Sequence, residues 1–284
     1  MQAIHLARKL TVQLRRVRGT HPLVDAVRRR FYAHGVREVA DFDGDLRIAL
    51  DLREHMASQI FWFGYYNRDV VRWLRRLLPA GGVFFDVGAN IGEITLVAAK
   101  RVGTSGAVYA FEPMAAIHAK LAANVAANGF SQVRLVASGV SDRPGTQAIY
   151  ASTGLYCDGS EHEGLGTLYA TAERGRLSAE IDLTTIDAVV GREGLTRLDG
   201  IKLDIEGAEL PAIRGAAESL RRFRPWLIVE IGTETCEAAG YEPADLLAAL
   251  PGYRFSRIER HRLVPITAAD LGSWQNVLCT PADG

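Results

Sequence analysis

The chain is poor in cysteine and has neither a net charge nor a long apolar run, and each of these absences excludes a class of protein. Its 284 residues include three cysteines, Cys157, Cys236 and Cys279, without a C-x-x-C pair. Neither a disulfide framework nor a zinc knuckle is therefore expected. No apolar stretch reaches membrane-spanning length, and the N-terminus lacks the uninterrupted apolar core of a secretion signal. We expect a cytoplasmic protein.

Basic and acidic residues balance at 33 each, so no global basic field recruits nucleic acid. The charge is nevertheless uneven along the chain. Residues 1–40 contain nine Lys or Arg against two acids, a net charge of +7, and the remainder has 24 basic against 31 acidic residues, a net charge of −7. Leu6, Leu10, Leu14 and Val17 recur within this basic arm at the spacing of an amphipathic helix. Such a helix either packs on the domain or lies on an anionic membrane or a partner.

The length and composition are those of one globular domain with an N-terminal addition, because 48% of the residues are hydrophobic and 23% are charged. We expect a basic helical arm and hairpin extension over residues 1–78. The main domain then covers residues 79–284, with a glycine-rich insertion at about 146–182.

The most informative motif is VFFDVGANIG, at Val83 to Gly92, where an apolar run ends in an acid and is followed by a glycine-spaced turn. The apolar run is typical of a buried strand, and the residues from Ile94 onward continue as a helix. A helix N-terminus presents unpaired backbone N–H groups to a ligand, and Gly88 and Gly92 remove side chains where a ligand would contact the backbone. The motif therefore predicts a nucleoside-binding α/β domain.

A second strand at 107–111 ends in Glu112, and Pro113 then begins a helix. An acid at this position suits two adjacent ribose hydroxyls, because one carboxylate can accept both hydrogen bonds. We therefore expect Glu112 to bind the ribose of the cofactor.

Strand and helix patterns alternate along the main domain, which implies parallel pairing with right-handed crossovers. The sequence predicts a doubly wound, Rossmann-like α/β sheet that is mostly parallel, with an antiparallel C-terminal strand. The predicted strands are 83–87, 107–111, 132–137, 200–205, 226–231, 253–258 and 275–280, and the predicted helices are 92–101, 114–128, 184–191, 208–222 and 243–250.

A further strand, in IKLDIEGAE, ends in Asp204 and is followed by Glu206 and by Gly207, which allows the chain to turn into a helix. Glu230 ends the next strand, in RPWLIVE. Ligands bind at the carboxyl edge of doubly wound sheets, so these acids are expected to line one crevice with the two acids of the earlier strands. Each acid alone could instead cap a helix or pair with a local arginine.

The D-x-G-x-x-x-G spacing that begins at Asp86 resembles the loop of class I methyltransferases, in which the strand-end acid supports the amino-acid portion of S-adenosylmethionine. Together with FEP, IKLDIEGAE and RPWLIVE, in this order, VFFDVGANIG is similar to the FkbM family of S-adenosylmethionine-dependent methyltransferases over roughly residues 46–281. The resemblance implies O-methylation of a hydroxyl group, often on a sugar of a glycolipid, polysaccharide or natural product.

The resemblance also implies roles for particular residues. Ser138 and Asp142 match a polar stretch near the adenine end of the cofactor, although both side chains could equally form a turn. The stretch 163–168 would lie beside the acceptor, and Asn67 stands where the family commonly has an acid. Asn90, within the glycine turn, is placed either to hydrogen-bond the cofactor or acceptor or to adopt a left-handed backbone.

Methyl transfer to oxygen requires alignment of donor and acceptor and removal of the hydroxyl proton. Asp204, Glu206 and His162 are the candidate bases, and Asp204 is preferred because its strand end is nearest the expected methyl position. Lys202 either neutralises the paired acids or forms a structural ion pair. Asp204, Glu206 and Glu230 could instead bind a divalent metal, but a metal is not favoured, because no further acid has ligand spacing.

Two other functions remain open. A non-catalytic S-adenosylmethionine-binding or assembly protein would have no use for Asp204 and Glu206. A nicotinamide-dependent oxidoreductase would need a third glycine in the turn, and residue 93 is Glu93. We expect a small-molecule or glycan acceptor, no nucleic acid, and a possible peripheral membrane contact through the basic arm, whereas the oligomeric state is not indicated.

Overall fold

The computed structural model describes residues 2–14, 19, 21–31, 35–151, 166–169 and 176–282, so that Val17, Cys157 and His162 lie outside the described residues. The helices are α1 (Gln2–Leu14), α2 (His21–Arg30), α3 (His55–Phe63), α4 (Arg68–Leu77), α5 (Glu93–Val102), α6 (Ala115–Ala126), α7 (Ile186–Arg192), α8 (Glu209–Arg214), α9 (Ala217–Phe223), α10 (Thr233–Ala238) and α11 (Pro243–Ala248). The strands are β1 (Val36–Phe42), β2 (Leu46–Asp51), β3 (Val83–Val87), β4 (Ala107–Phe111), β5 (Val133–Val136), β6 (Gly139–Val140), β7 (Gly145–Ala151), β8 (Gly166–Thr167), β9 (Arg176–Thr184), β10 (Gly200–Leu203), β11 (Trp226–Gly232), β12 (Tyr253–Glu259), β13 (Arg262–Pro265) and β14 (Trp274–Pro281).

The described chain divides into two compact units, the first ending at Arg68 and the second beginning at Asp69. In the first unit, β1 and β2 form an antiparallel hairpin, whose turn contains Asp43 and Gly44. Both turn residues have a positive φ, of 49° and 99°. Helix α3 packs on β2, and α1 and α2 pack on α3. Within the part of the chain that the structure describes, no helix is both long and apolar enough to span a membrane.

The N-terminal helix packs with a different face from the one that the leucine stripe predicted. Leu6 and Leu10 are 62% and 54% exposed, whereas Ile4 and Arg8 are buried. The reason is a long-range ion pair, because the Arg8 guanidinium donates a hydrogen bond of 2.9 Å to the carboxylate of Asp41. The stripe is therefore wrong as a packing face, and α1 presents its leucines on the opposite side.

The second unit is built on an eight-stranded sheet with the order β13-β12-β14-β11-β10-β3-β4-β5. Five neighbouring strands of this sheet pair in parallel, namely β5, β4, β3, β10 and β11. Strands β14, β12 and β13 continue the sheet in antiparallel pairing. The chain winds outward from β3 to β5 and then returns to β10 on the other side of β3. The fold is therefore a doubly wound class I methyltransferase sheet, and its switch point lies between β3 and β10.

The core of this unit follows from continuous apolar strands covered on both faces. Every residue of β3 and β10 is buried. Phe85 contacts the rings of Tyr109 and Phe111, with centroids 4.9 and 5.4 Å apart. Gly200 is required at its position, because a Cβ there would lie 2.2 Å from the ring of Trp226. This rigid packing fixes the strand ends that form the site.

The insertion forms a second sheet with the order β6-β9-β7-β8. Its long arms are β7 and β9, which pair in antiparallel fashion with a register shift after Ile149. Strand β8 pairs with the end of β7, with Tyr150 opposite Thr167. The region that was predicted as an insertion therefore forms strands of its own, on either side of the undescribed residues.

Some elements of the second unit differ from the prediction. The single helix predicted over 208–222 is two helices, α8 and α9, separated at Gly215 and Ala216. Gly215 lies against the chain at Ser141, and a Cβ there would be 2.1 Å from the Ser141 carbonyl oxygen. Strand β13, which pairs with β12 and extends the sheet by one strand, was not predicted.

Candidate functional site

Four neighbouring strands end in one row of residues at the carboxyl edge of the sheet. The residues that follow the last paired positions of β4, β3, β10 and β11 are Glu112, Gly88, Asp204 and Glu230. Residues in register point to the same face of a sheet, so the three acids of this row face the same side. The row crosses the switch point, where doubly wound folds bind ligands. The structure thus brings together the acids that the sequence placed at one edge.

Lys202 is the buried centre of an ion-pair network behind this row. Its Nζ lies 3.3 Å from Asp204 Oδ2 and 3.5 Å from Asp86 Oδ1, and it donates a hydrogen bond of 2.7 Å to the Gly88 carbonyl. Burial alone would lower the pKa of Lys202, but the carboxylates of Asp204 and Asp86 raise it above its ordinary value. Asp86 is fully buried and also accepts a hydrogen bond of 2.6 Å from the Thr95 hydroxyl. Asp86 therefore lies beneath the glycine turn and is held from both sides.

The glycines of the turn are required by the protein itself. Gly88 has a φ of +79°, and a Cβ there would lie 1.9 Å from the Asp204 carbonyl oxygen. Gly92 has a φ of +100°, and its Cβ would lie 2.8 Å from Leu121 Cδ1. These contacts within the protein are sufficient to require glycine at both positions, and contact of Gly88 and Gly92 with the cofactor stays a prediction. Asn90 also has a positive φ, of 49°, which is the left-handed backbone that its residue type tolerates.

Glu112 closes the other side of the turn. Its two carboxylate oxygens accept hydrogen bonds of 3.0 Å from the backbone N–H groups of Asn90 and Met114. Burial raises the pKa of Glu112 to about 7, although both N–H groups favour the charged form. Each oxygen retains a second acceptor position, because an ionised carboxylate offers about four lone-pair sites. Helix α5 begins beside it at Glu93, without a side-chain cap at Gly92.

Asp204 and Glu230 are neighbouring carboxyl groups of adjacent strands. Burial, and next the Asp204 carboxylate, raise the pKa of Glu230 well above its ordinary value. The cause is that two neighbouring carboxylates do not both ionise easily. The side chain of Asp204 is 24% exposed. Asp204 therefore reaches the surface of the crevice while it stays in contact with the buried Lys202.

A tight turn follows Asp204 and displays Glu206. Glu206 and Gly207 have positive φ values of 54° and 103°. The sequence did not identify what holds this turn, which is the buried carboxylate of Glu209. It accepts hydrogen bonds of 2.9 Å from the N–H groups of Ile205 and Gly207, and the Tyr241 hydroxyl lies 3.3 Å away. Burial raises the pKa of Glu209 to about 7. Glu209 is the last residue of the IKLDIEGAE motif, so the sequence did contain the acid that holds the turn.

The insertion reaches the same turn. The Thr167 hydroxyl donates a hydrogen bond of 2.8 Å to the Glu206 carbonyl and accepts one of 3.2 Å from the Tyr169 N–H. Thr167 belongs to the stretch 163–168 that was predicted to lie beside the acceptor, and of this stretch the structure describes residues 166–168. The contact joins the second sheet to the carboxyl edge of the first. The predicted role of His162 falls outside the described residues.

The remaining predicted cofactor residues, Ser138 and Asp142, follow strand β5. Ser138 is half-buried in a bend just after β5, at the carboxyl end of that parallel strand. Asp142 is exposed, and its Cα lies 3.2 Å from the place of a Cβ on Gly215. Ser141, between them, is 3.4 Å from the Asp142 carboxylate. Ser138 thus shares the edge of the site, whereas Asp142 lies against the junction of α8 and α9.

A search of the described residues finds no group of three or more His, Cys, Asp or Glu arranged to hold a metal ion.

Comparison with known proteins identifies the family. Residues 86–256 match the model of the methyltransferase FkbM domain. The chain is 31% identical to the AMB antimetabolite synthetase AmbE of Pseudomonas aeruginosa over 64% of its own length, but spans only 10% of that protein. It is 29% identical to the methyltransferase sdnD of Sordaria araneosa, over 58% of this chain and 71% of that protein.

Solved structures with a similar arrangement include an FkbM methyltransferase from Methylobacillus flagellatus, with a TM-score of 0.45, 17% identity, and coverage of 74% of this chain and 50% of that one. The family match covers the glycine turn and the acid row. The cofactor is S-adenosylmethionine, as the resemblance implied. The chain belongs to the FkbM family of methyltransferases.

Proposed function

We propose that this protein transfers the methyl group of S-adenosylmethionine to a hydroxyl oxygen of a glycosyl acceptor, on a glycolipid, polysaccharide or natural product. The observation that carries the proposal is the position of Asp204. It combines partial exposure at the switch point with a buried cationic partner, Lys202, and a neighbouring carboxyl group, that of Glu230. A carboxylate that is held in place and still open to the crevice is suited to remove a hydroxyl proton.

The residues on the β3 and β4 side fit the cofactor. Glu112 has free acceptor positions for two ribose hydroxyls, and the uncapped start of α5 offers backbone N–H groups. When bound, S-adenosylmethionine supplies an electrophilic methyl group on a sulfonium. Asp86 contributes indirectly, because its contacts with Lys202 and Thr95 support the turn from below. Asn90 remains a proposed contact, and Ser138 and Asp142 are proposed at the adenine end.

Asp204 is assigned as the general base. Its ion pair with Lys202 fixes the carboxylate, so that little orientational freedom is lost in the reaction. Uptake of the hydroxyl proton by Asp204 leaves Lys202 paired with Asp86 alone, so the buried cation keeps a carboxylate partner after the transfer. Glu206, on the exposed turn, is proposed to orient the acceptor.

Two measurements test this proposal. Calorimetric titration with S-adenosylmethionine, S-adenosylhomocysteine and NAD comes first. We expect selective binding of the first two, and binding of NAD alone would return the function to the oxidoreductase alternative. The second measures release of S-adenosylhomocysteine in the presence of a panel of glycosides. If neither a glycoside nor any other hydroxyl compound supports turnover, the alternative of a binding or assembly protein is favoured.

The Asp204→Asn variant tests the base. We expect nearly unchanged affinity for S-adenosylhomocysteine and a rate of transfer reduced by about 10²–10⁴-fold, which is the usual contribution of general base catalysis. Asp182→Asn is the matched control, because Asp182 lies exposed on β9 and makes the same chemical change away from the row. Normal turnover by Asp204→Asn would place the base elsewhere, with Glu206 and His162 as the next candidates.

A further inference from the structure

The row of site residues continues beyond Glu230 onto β14. In the antiparallel pairing of β11 and β14, Glu230 is opposite Asn276 and Gly232 is opposite Trp274. Directly opposed residues of an antiparallel pair point to the same face of the sheet. Asn276 and Trp274 therefore lie on the face that displays Asp204 and Glu230. Neither residue has a part in the cofactor side of the site or in the proposed proton transfer.

Trp274 is unusual because it is exposed. Its exposed fraction is 61%, whereas Trp62 and Trp226 are buried at 0% and 8%. A tryptophan contributes most when its large apolar ring is covered, so an exposed indole at the edge of a ligand site is an informative feature. Its backbone is fixed, because the neighbouring Ser273 carbonyl accepts a hydrogen bond of 2.8 Å from the Thr233 N–H. The indole is thus presented on a firm strand end.

Close backbone packing joins Trp274 to the Glu206 turn. A Cβ on Gly232 would lie 3.8 Å from Trp274 Cδ1 and 2.9 Å from the Thr235 hydroxyl. The carbonyl oxygen of Thr235 in turn lies 2.6 Å from the place of a Cβ on Gly207, in the turn that displays Glu206. Standard strand spacing and rise place the Trp274 backbone roughly 12 Å from that of Asp204. One sugar ring and its substituents bridge a gap of that size between two side chains.

We propose that Trp274, Asn276 and Glu230 form the acceptor subsite of this enzyme and hold a pyranose ring with its apolar C–H face on the indole. The proposal rests on the function proposed above and names the residues that select its acceptor. A sugar ring has an apolar face and a rim of hydroxyls that both donate and accept hydrogen bonds. The subsite matches this chemistry, because the amide of Asn276 also donates and accepts, and the carboxyl of Glu230 lies beside it.

An organic cation is the main competing occupant, since an indole next to a carboxylate attracts ammonium groups. The pairing of Glu230 with Asp204 argues against it. Burial and the Asp204 carboxylate raise the pKa of Glu230 well above its ordinary value, which favours its neutral form over a negative charge. Lys202, 3.3 Å from Asp204, offsets the remaining carboxylate of the pair. A neutral polar ring therefore fits the subsite better than a cation.

The test uses the full chain saturated with S-adenosylhomocysteine and titrated calorimetrically with methyl α-glycosides of glucose, mannose, galactose and rhamnose. We expect at least one glycoside to bind and to protect the exposed tryptophan fluorescence from acrylamide quenching. Trp274→Ala should weaken that binding about tenfold or more, which is the scale of a good aromatic contact. Trp274→Phe should retain most of it. Tyr66→Ala is the matched control, because Tyr66 is an exposed aromatic residue of the other unit, and we expect no change.

The outcomes separate the subsite from the function. Glycoside binding that Trp274→Ala leaves unchanged would overturn the subsite, as would binding of tetramethylammonium in place of every glycoside. A protein that binds S-adenosylhomocysteine but no glycoside would lose the subsite and keep its cofactor site. A protein that does not bind S-adenosylhomocysteine would lose the proposed function and the subsite with it. Affinity for S-adenosylhomocysteine, measured in each variant, shows whether a variant is folded.

Discussion

At the scale of single residues, burial and hydrogen bonding compete at Glu112. Burial raises its pKa to about 7, while the N–H groups of Asn90 and Met114 favour the ionised form. The ionised carboxylate accepts more hydrogen bonds, so the cofactor binds it better than the protonated form. Affinity should therefore rise with pH through about 7. At pH 6 about one tenth of the Glu112 carboxyls are ionised, and affinity should be about tenfold below its plateau.

Calorimetric titration of S-adenosylhomocysteine between pH 5.5 and 8.5 measures this dependence. Glu112→Gln, which cannot ionise, should bind more weakly and show a flat profile over that range. If the wild-type profile is also flat, Glu112 does not contact the ribose, and the assignment fails.

Lys202 supports a second prediction, about stability. Its ammonium lies between Asp86 and Asp204, and Asp86 is fully buried. Lys202→Met leaves Asp86 without its compensating charge, and breaking a buried ion pair in this way costs about 3–5 kcal/mol of unfolding free energy. The double variant with Asp86→Asn should recover part of the lost unfolding free energy, because it removes the buried carboxylate that has no cation beside it in Lys202→Met. Urea unfolding measures each value.

Lys100→Met is the control for this series, because Lys100 is exposed near the end of α5, where a substitution changes stability by about 0.5 kcal/mol or less. A Lys202→Met variant as stable as this control would mean that the network contributes nothing to folding.

At the scale of elements, local pattern predicted the central strands well. The bounds of β3 and β4 agree with the prediction, because a strand buried on both faces is a continuous apolar run with a turn signal at its end. The shared edge of Asp204 and Glu112 also followed, since parallel strands end at one edge. The pairing of Lys202 with Asp86 did not follow, because it depends on the register between β10 and β3.

Long-range contacts explain the elements that were missed. The break between α8 and α9 depends on Gly215 meeting the Ser141 carbonyl, a contact that no helical periodicity reveals. The packing face of α1 depends on Arg8, which reaches Asp41 and lies 5.5 Å from the centre of the Phe61 ring. A buried arginine is invisible to an argument from apolar periodicity. Sequence thus predicts strand ends better than the contacts between them.

The insertion gives a prediction at this scale. Strand β8 touches the Glu206 turn through one hydroxyl, that of Thr167, which is buried and donates to the Glu206 carbonyl. Thr167→Val keeps the shape of the side chain and removes the hydrogen bond. We expect a lower kcat, because the turn that orients the acceptor loses a support, and an unchanged affinity for S-adenosylhomocysteine. Steady-state kinetics and calorimetry measure the two quantities.

Thr146→Val is the control, because Thr146 is exposed on β7 of the same sheet. If the two variants have equal kinetics, the hydrogen bond from Thr167 to the Glu206 carbonyl contributes nothing to catalysis.

At the scale of the whole molecule, charge and exposed apolar surface are concentrated at the N-terminus. Residues 1–40 carry a net charge of +7, opposite to the −7 of the remainder. Within the first unit, α1 and α2 pack on α3, and Leu6, Leu10 and Leu23 remain 62%, 54% and 55% exposed. Exposed leucines on helices of a basic segment are the features of a peripheral contact with anionic lipid. The membrane contact remains a prediction, with packing on another protein as its alternative.

Vesicle co-sedimentation decides between these possibilities. We expect binding to vesicles with anionic phosphatidylserine, weak binding to phosphatidylcholine alone, and loss of binding at high salt, because the attraction is partly electrostatic. The double variant Leu6→Gln and Leu10→Gln should bind about a hundredfold more weakly, since each leucine that enters the interface contributes about 1.5 kcal/mol. Val36→Gln, at a similarly exposed position on β1, should bind normally. Retained binding in the double variant would exclude α1 as the contact. If the membrane holds the acceptor, the same double variant should lose most of its activity on a glycolipid in vesicles and keep its activity on a soluble glycoside. Equal activity of the variant and the wild type on both acceptors would show that the membrane contact does not deliver the acceptor.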